Sequence, residues 1–397
     1  MEKKRIAELD IIRGFALFGI LLVNMKSFSY PGLETMMLPG TFWTDHISII
    51  TEKLIGIFAQ ANFYTLFSFL FGLGTMILIK NARSRIESFL VMIVRRLLVL
   101  LAFGVFHAFF IWSGDILITY ALLGFILLLF HKASPKVLSI TALLLMMVPG
   151  ILFFFLLQAV SLLEPEAGTS VLLYDEAAVE TALAVYQSGT YSEIFQHRLG
   201  EWQLVNNAAN APFLFIAVFP MFLLGAALGK SDLLLQVKEK AALFKLWMMI
   251  ALIVGLPLKI IPYWGDMEYS YLFLGEQIGG PAMAIFYFFA ILLLCQQPFF
   301  KRILTPLGNV GRMSITNYLT QSVICTMIFY SYGLGLYGSL GPIWTVLLAA
   351  VIFTIQIFLS RLWLQTFQYG PVEWIWRQLT YWRKLPIKRN KPVYRKL

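Results

Sequence analysis

The sequence is short of charge and of cysteine. Only 13% of its 397 residues are Asp, Glu, Lys or Arg, against roughly 25% in a soluble domain. Its two cysteines, Cys295 and Cys325, both lie in apolar runs. That excludes a disulfide framework and a thiolate metal centre. There is no phosphate-cradling glycine loop and no nucleophile elbow. Low-complexity tracts and internal repeats are also missing. What abounds is apolar: 59% of residues are hydrophobic and the mean hydropathy is +0.77. So many apolar side chains cannot all hide in one water-soluble core. An ordinary soluble enzyme, a disordered chain and a nucleic-acid-binding module are excluded. The fold class is an all-α polytopic membrane helix bundle, read as a single integral membrane domain over 1–397.

A spanning helix needs about 20 mostly apolar residues. Ten runs qualify: 11–28, 54–79, 95–112, 115–131, 137–160, 206–229, 243–262, 277–297, 310–331 and 341–361. The charged N-terminus precedes an apolar run without a small-residue cleavage site, so that run reads as a retained helix. With the N-terminus inside, 27 of the 31 Lys and Arg residues fall in cytoplasmic segments, as the positive-inside rule requires. Acidic residues lean outward, 14 of 21. Both termini are therefore expected in the cytoplasm. The +10 net charge marks topology and contact with anionic lipid headgroups, so the expected partner is the bilayer and not nucleic acid. Residues 161–205 form a long outer loop with a short amphipathic helix around 175–180. The basic tail, 362–397, carries an interfacial helix rich in Trp, Tyr and Arg.

Ionisable and amide side chains inside spans are expensive and mark candidate sites, although they also join helices. Asp10 and Arg13 share one face of the first span, with Asn24 deeper in it. His107 lies near the outer end of the third span, and Ser113-Gly114 turns the chain so that Asp115 opens the fourth. A carboxylate across that hairpin could hold a histidine tautomer, the usual support of a general base. The competing reading makes Asp115 an N-cap and His107 a packing residue. In the cluster Asn309–Ser322, which holds Arg312, the residues Ser314, Asn317 and Gln321 form one polar stripe, suited either to a hydrated pocket or to neighbouring helices. Glu373 and Arg377 sit one turn apart, a spacing that an ion pair on an amphipathic helix also explains. Gly72 and Gly74 suit close helix packing. His46 and His197 show no metal-ligand spacing, so no metal is expected.

Arg5-x3-Leu9-Asp10-x2-Arg13-Gly14-Phe15-Ala16, Leu66-Phe67-Ser68-Phe69-Leu70-Phe71-Gly72 and His107…Gly114-Asp115-Ile116-Leu117…Tyr120 together resemble the YeiB family of bacterial inner-membrane proteins. Asn317-Tyr318-x2-Gln321-Ser322 and Gly370-Pro371-x-Glu373-Trp374-x-Trp376-Arg377 match it too, so the likeness runs in order over nearly the whole chain. That family is loosely described as transport-related. More distantly, the Leu9-Asp10-x-x-Arg13-Gly14 helix is similar to the transmembrane acyltransferase superfamily, which includes the lysosomal heparan acetyltransferase and polysaccharide O-acetylases. This likeness implies an acyl group moved from a cytoplasmic acyl-CoA donor to a small-molecule or glycan acceptor outside. It implies catalytic roles for His107 and Asp115, with His46 as the other candidate histidine. Donor contacts would come from Asp10, Arg13, Asn24, Arg312, Asn317, Gln321, Glu373 and Arg377. The O-acetylases carry a second Arg beside the one at Arg13, and this chain does not. A transporter and a non-catalytic scaffold are the alternative functions, and a homo-oligomer is the expected assembly.

Overall fold

The computed structural model describes residues 6–35, 39–82, 89–163, 176–264 and 268–389. The charged start of the chain (1–5), part of the long loop (164–175) and the end of the basic tail (390–397) lie outside the described residues. The first helices are α1 (Ala7–Ser29), α2 (His46–Phe58), α3 (Asn62–Ala82), α4 (Phe89–Phe110), α5 (Leu117–Leu129) and α6 (Pro135–Leu163). The long loop contributes two more, α7 (Glu176–Ser188) and α8 (Tyr191–Asn206), where one was expected. Then come α9 (Ala211–Lys230), α10 (Ala241–Ile260) and α11, which runs Tyr269–Leu294 through a π-turn at Gly275–Gly279. The chain closes with α12 (Pro298–Arg312), α13 (Ser314–Phe329), α14 (Pro342–Thr366) and the expected interfacial helix α15 (Pro371–Tyr381).

All ten expected runs carry helix, the run 54–79 being broken at 59–61 between α2 and α3, and eight helical segments among the described residues are long and apolar enough to cross a bilayer. The runs at 115–131 and 310–331 hold shorter helices. α5 has 13 residues, about 20 Å of helix, because Asp115 and Ile116 belong to the preceding turn. α13 has 16 residues, because the chain breaks at Met313 between it and α12.

Bare backbone lets the central helices approach closely, as in many membrane interfaces. A Cβ on Gly72 of α3 would lie 2.0 Å from the Phe222 carbonyl oxygen of α9, and one on Gly225 would lie 1.9 Å from that of Phe69. The same device joins α1 to α12. A Cβ on Gly14 would meet the Leu307 carbonyl oxygen at 2.0 Å, and one on Gly311 that of Asp10 at 1.9 Å. Gly74 is different: nothing lies within 4 Å of its added Cβ, and it borders a cavity rather than a helix.

α6 and α10 turn large apolar side chains outward, among them Leu144, Phe155, Leu246 and Ile253. The bundle has two unlike ends. One gathers the start of α1 and the helix α15 with Lys80, Arg96, Arg312 and Arg377. The other is covered by α7 and α8. A capping box at Thr190 and Glu193 starts α8 just after α7, which holds the two cap helices as a pair.

A buried Ser-His-Asp relay and a basic cavity

α4 ends at Phe110, and the turn 111–116 delivers the chain into α5. Gly114 is required there, since a Cβ would meet the Trp112 ring at 2.3 Å. Asp115 acts on both sides of the turn. Its Oδ2 accepts the Ile118 amide at 2.8 Å, capping α5. Its Oδ1 lies 2.8 Å from His107 Nδ1. The opposite ring nitrogen, Nε2, lies 2.8 Å from Ser322 Oγ, at the middle of α13. The two readings of Asp115, cap and histidine partner, are thus satisfied by one carboxylate.

The carboxylate favours the imidazole tautomer with its proton on Nδ1. Nε2 then accepts the Ser322 hydroxyl, which is the role order of a serine–histidine–aspartate set. His107 is 0% and Ser322 1% exposed. The three groups therefore form a site sealed from solvent. α8 closes it from above: Arg198 donates to the Ile111 carbonyl, Tyr191 to that of Phe110 at 3.0 Å, and Ser113 to Glu201 at 2.6 Å. Tyr318 ties α13 to the turn by donating to the Gly114 carbonyl at 3.3 Å.

At the end of the bundle that gathers α15 and the start of α1 lies a cavity of about 630 Å³, within the usual range for a small-molecule site. Five cations line it (Arg13, Lys80, Arg96, Arg312 and Arg377) beside three carboxylates (Asp10, Asp232 and Glu373). Arg13 pairs with Asp10 and Lys80 with Asp232, each at 2.8 Å. Glu373 is used elsewhere. Its Oε1 accepts the amides of Ile315 and Thr316 at 2.6 and 3.1 Å, and its Oε2 the Thr316 hydroxyl at 2.6 Å. It therefore caps α13 instead of pairing with Arg377, and burial pushes its carboxyl above the ordinary range. Arg377 lies over the Tyr369 ring at 4.6 Å and Arg96 over that of Trp376 at 3.5 Å. The cavity keeps a surplus of positive charge.

Its deep wall includes Leu117 and Tyr120, next to the relay turn. Beyond that wall is a second space of about 130 Å³, bordered by Asn24, Tyr64, Gly114, Ile116 and Tyr318. Tyr120 stands between the two, bonded to the Tyr64 carbonyl at 2.9 Å and to Ser68 Oγ at 2.8 Å.

The candidate residues thus divide. Asp10, Arg13, Arg312, Glu373 and Arg377 converge on the basic cavity, and Asn24 on the small one. Asn317 and Gln321 line neither. Asn317 Nδ2 donates to the Val310 carbonyl and to Ser360 Oγ, and Gln321 Nε2 to Gln356 Oε1 at 2.8 Å. These amides bond to α12 and α14, the cheaper arrangement where no water competes. His46 is exposed at the start of α2, away from the relay.

Sequence reasoning quoted Ser322 without assigning it a role. Lys26 and Lys259 both fall inside apolar runs, which is the signal the sequence offers for them. Lys26 is buried 3.8 Å from Glu52, which accepts Tyr30 at 2.5 Å, and Lys259 donates to the Gln60 carbonyl at 2.9 Å.

Comparison with known proteins extends over the full length. The family model described as "Protein of unknown function (DUF418)" matches residues 228–383. "Uncharacterized protein YxaH" of Bacillus subtilis (strain 168) is 38% identical over 99% of this chain and 98% of its own length. "Uncharacterized 39.9 kDa protein in amylase 3'region" of Bacillus acidopullulyticus is 29% identical over 98% of the chain and 97% of its length. "Uncharacterized protein YeiB" of Escherichia coli (strain K12) is 29% identical over 95% and 96%.

Proposed function

The chain belongs to the YeiB (DUF418) family, and from that premise we propose that it is a membrane acyltransferase that works through an acyl-serine. The observation that carries this reading is the alignment of Ser322, His107 and Asp115 at 2.8 Å per contact. The donor is a CoA-type thioester whose phosphates meet Arg13, Arg96, Arg312 and Arg377. Guanidinium groups bind phosphate oxygens in bidentate fashion. The acyl end points toward Leu117 and Tyr120.

In the first step the acyl end passes Tyr120 and Tyr318 into the closed site, Ser322 Oγ bonds to the thioester carbonyl carbon, and His107 Nε2 takes its proton. The C–S bond breaks, and the thiol leaves with that proton. In the second step an acceptor hydroxyl or amine, entering from the capped end, attacks the serine ester. It yields its proton through His107 to the departing Ser322 oxygen. Asp115 keeps the ring oriented and stabilises the imidazolium. Burial protects the ester from water, which would otherwise hydrolyse it. The basic end faces the cytoplasm of a bacterial cell and the capped end the outside, a reading supported by the sequence, in which 27 of 31 Lys and Arg residues fall in the segments assigned to the cytoplasm. External labelling of cysteines placed in 163–200, but not in 383–389, tests that orientation.

The experiment is to incubate purified protein with radiolabelled acetyl-CoA and longer acyl-CoAs, without acceptor. The expected result is a covalent label that alkaline hydroxylamine releases and that maps to the peptide containing Ser322. A turnover-competent preparation with no label at any chain length refutes the acyl-serine. The second reading is a small-molecule transporter, favoured by the buried Lys26–Glu52 pair within the apolar bundle. It is distinguished by substrate flux in proteoliposomes that carry no acyl donor.

A further inference from the structure

At the capped end a second group of ionisable side chains takes no part in the relay. Glu34 lies in the loop after α1. His197 and Glu201 lie on α8, four residues apart and so on one helix face. His197 Nε2 is 3.8 Å from Glu34 Oε1 and 3.6 Å from Glu201 Oε1, and one donor atom from each of the three residues lies within 4.8 Å of the others. A further observation points to a missing occupant: among the described residues, His197 Nε2 is buried without a hydrogen-bond partner. The hydroxyl of Tyr186, a residue 1% exposed, faces Glu201.

We propose that Glu34, His197 and Glu201 bind one Zn²⁺ ion. Two carboxylates balance the charge of a dication, and a neutral imidazole beside carboxylates is a donor set that zinc accepts. Tetrahedral bonds of about 2.0–2.2 Å place ligand atoms roughly 3.4 Å apart. The observed 3.6 and 3.8 Å need only a few tenths of an ångström of closure. The other oxygen of Glu201 accepts the Ser113 hydroxyl at 2.6 Å, the outer contact that orients a ligating carboxylate. Three protein ligands leave a fourth position open to water or to a ligand. The ion fastens the α1 loop to α8 and, through Glu201 and Ser113, to the turn that carries Asp115. Chain spacing could not disclose this group, because Glu34 is remote in sequence from its partners and carboxylates on loops are common.

The test uses the full-length protein in detergent, stripped with chelator and then dialysed against micromolar Zn²⁺, with metal content read by mass spectrometry. Wild type and the exposed control Glu180→Gln should retain about one zinc per chain, and His197→Ala and Glu34→Gln close to none. Zinc should raise the Tm of wild type and leave that of both site variants unchanged. Wild type that retains no zinc overturns the proposal without recourse to any variant, and shows the three groups to be an ion-pair cluster around a protonated imidazole. Equal zinc in all four proteins overturns the assignment to these residues. Displacement of zinc by equimolar Mg²⁺ or Ca²⁺ overturns the choice of metal. Tetrahedral Co²⁺ absorption in the wild type, lost on adding zinc, supports it. None of these readouts depends on acyl transfer, so the metal site and the acyl-serine stand or fall separately.

Discussion

Ser322→Ala separates a chemical serine from a structural one by magnitude. Ser322 is 1% exposed and its hydroxyl is held by His107 Nε2 at 2.8 Å. Truncation leaves that nitrogen buried without a partner, which costs about 1–3 kcal/mol. Asp115 still holds the other side of the ring, so the imidazole stays in place. Against a typical stability of about 5–15 kcal/mol, the variant remains folded, with a lower Tm. The effect on chemistry is of another size. Loss of the nucleophile from a serine–histidine–aspartate set lowers turnover by about 10⁴-fold or more, a barrier increase of at least ~5.4 kcal/mol. The assay measures Tm, acyl-CoA binding and acyl transfer on the same preparation, with transfer normalised to folded protein. Donor binding should be unchanged, because Ser322 borders neither cavity. Ser322→Cys should restore a covalent adduct, now a thioester cleaved by neutral hydroxylamine. Turnover within about tenfold of wild type in Ser322→Ala would falsify the relay and leave His107, Asp115 and Ser322 as a bond network joining α4, α5 and α13.

Three further outcomes follow from the same geometry. Arg312→Ala and Arg377→Ala each remove a charge-assisted contact to phosphate worth about 1.5–3 kcal/mol, so acyl-CoA binding by calorimetry should weaken roughly 10–100-fold. An unchanged Kd in both removes the basic cavity as the donor site. Gly311→Ala puts a Cβ 1.9 Å from the Asp10 carbonyl oxygen and forces α1 from α12. It should cost at least about 1–3 kcal/mol and depress donor binding, whereas Gly74→Ala, with nothing within 4 Å, should stay within about 0.5 kcal/mol. Glu373 has its carboxyl raised above 4.5 by burial, so its contribution is complete below that value and is lost as pH rises through the folded value. The stability of wild type relative to Glu373→Gln should therefore fall as pH rises from 4 to 7, and a rise would contradict the assignment.

Composition and hydropathy by themselves determined the helical membrane class and where helix lies, eight segments being long enough to cross, because the bilayer heavily penalises an unsatisfied backbone. The Lys and Arg distribution likewise separates the two ends of the chain's bundle without reference to contacts. The hairpin was legible because His107, Ser113-Gly114 and Asp115 are local in sequence. What lay beyond reach was pairing between distant segments. Ser322 became a partner of His107 only when α13 packed against the turn. The amides of Asn317 and Gln321, by contrast, found α14 and not a pocket. Glu373 and Arg377 have the spacing of an ion pair, yet the free amides at the start of α13 drew the carboxylate away. Arg96 joined the other arginines around one cavity, and Glu34 met His197 across the cap. The reason is the same in each case. Periodicity reports which face of a helix is polar, but which neighbour that face meets is decided by close packing at glycines such as Gly14, Gly72, Gly225 and Gly311, where helix backbones touch.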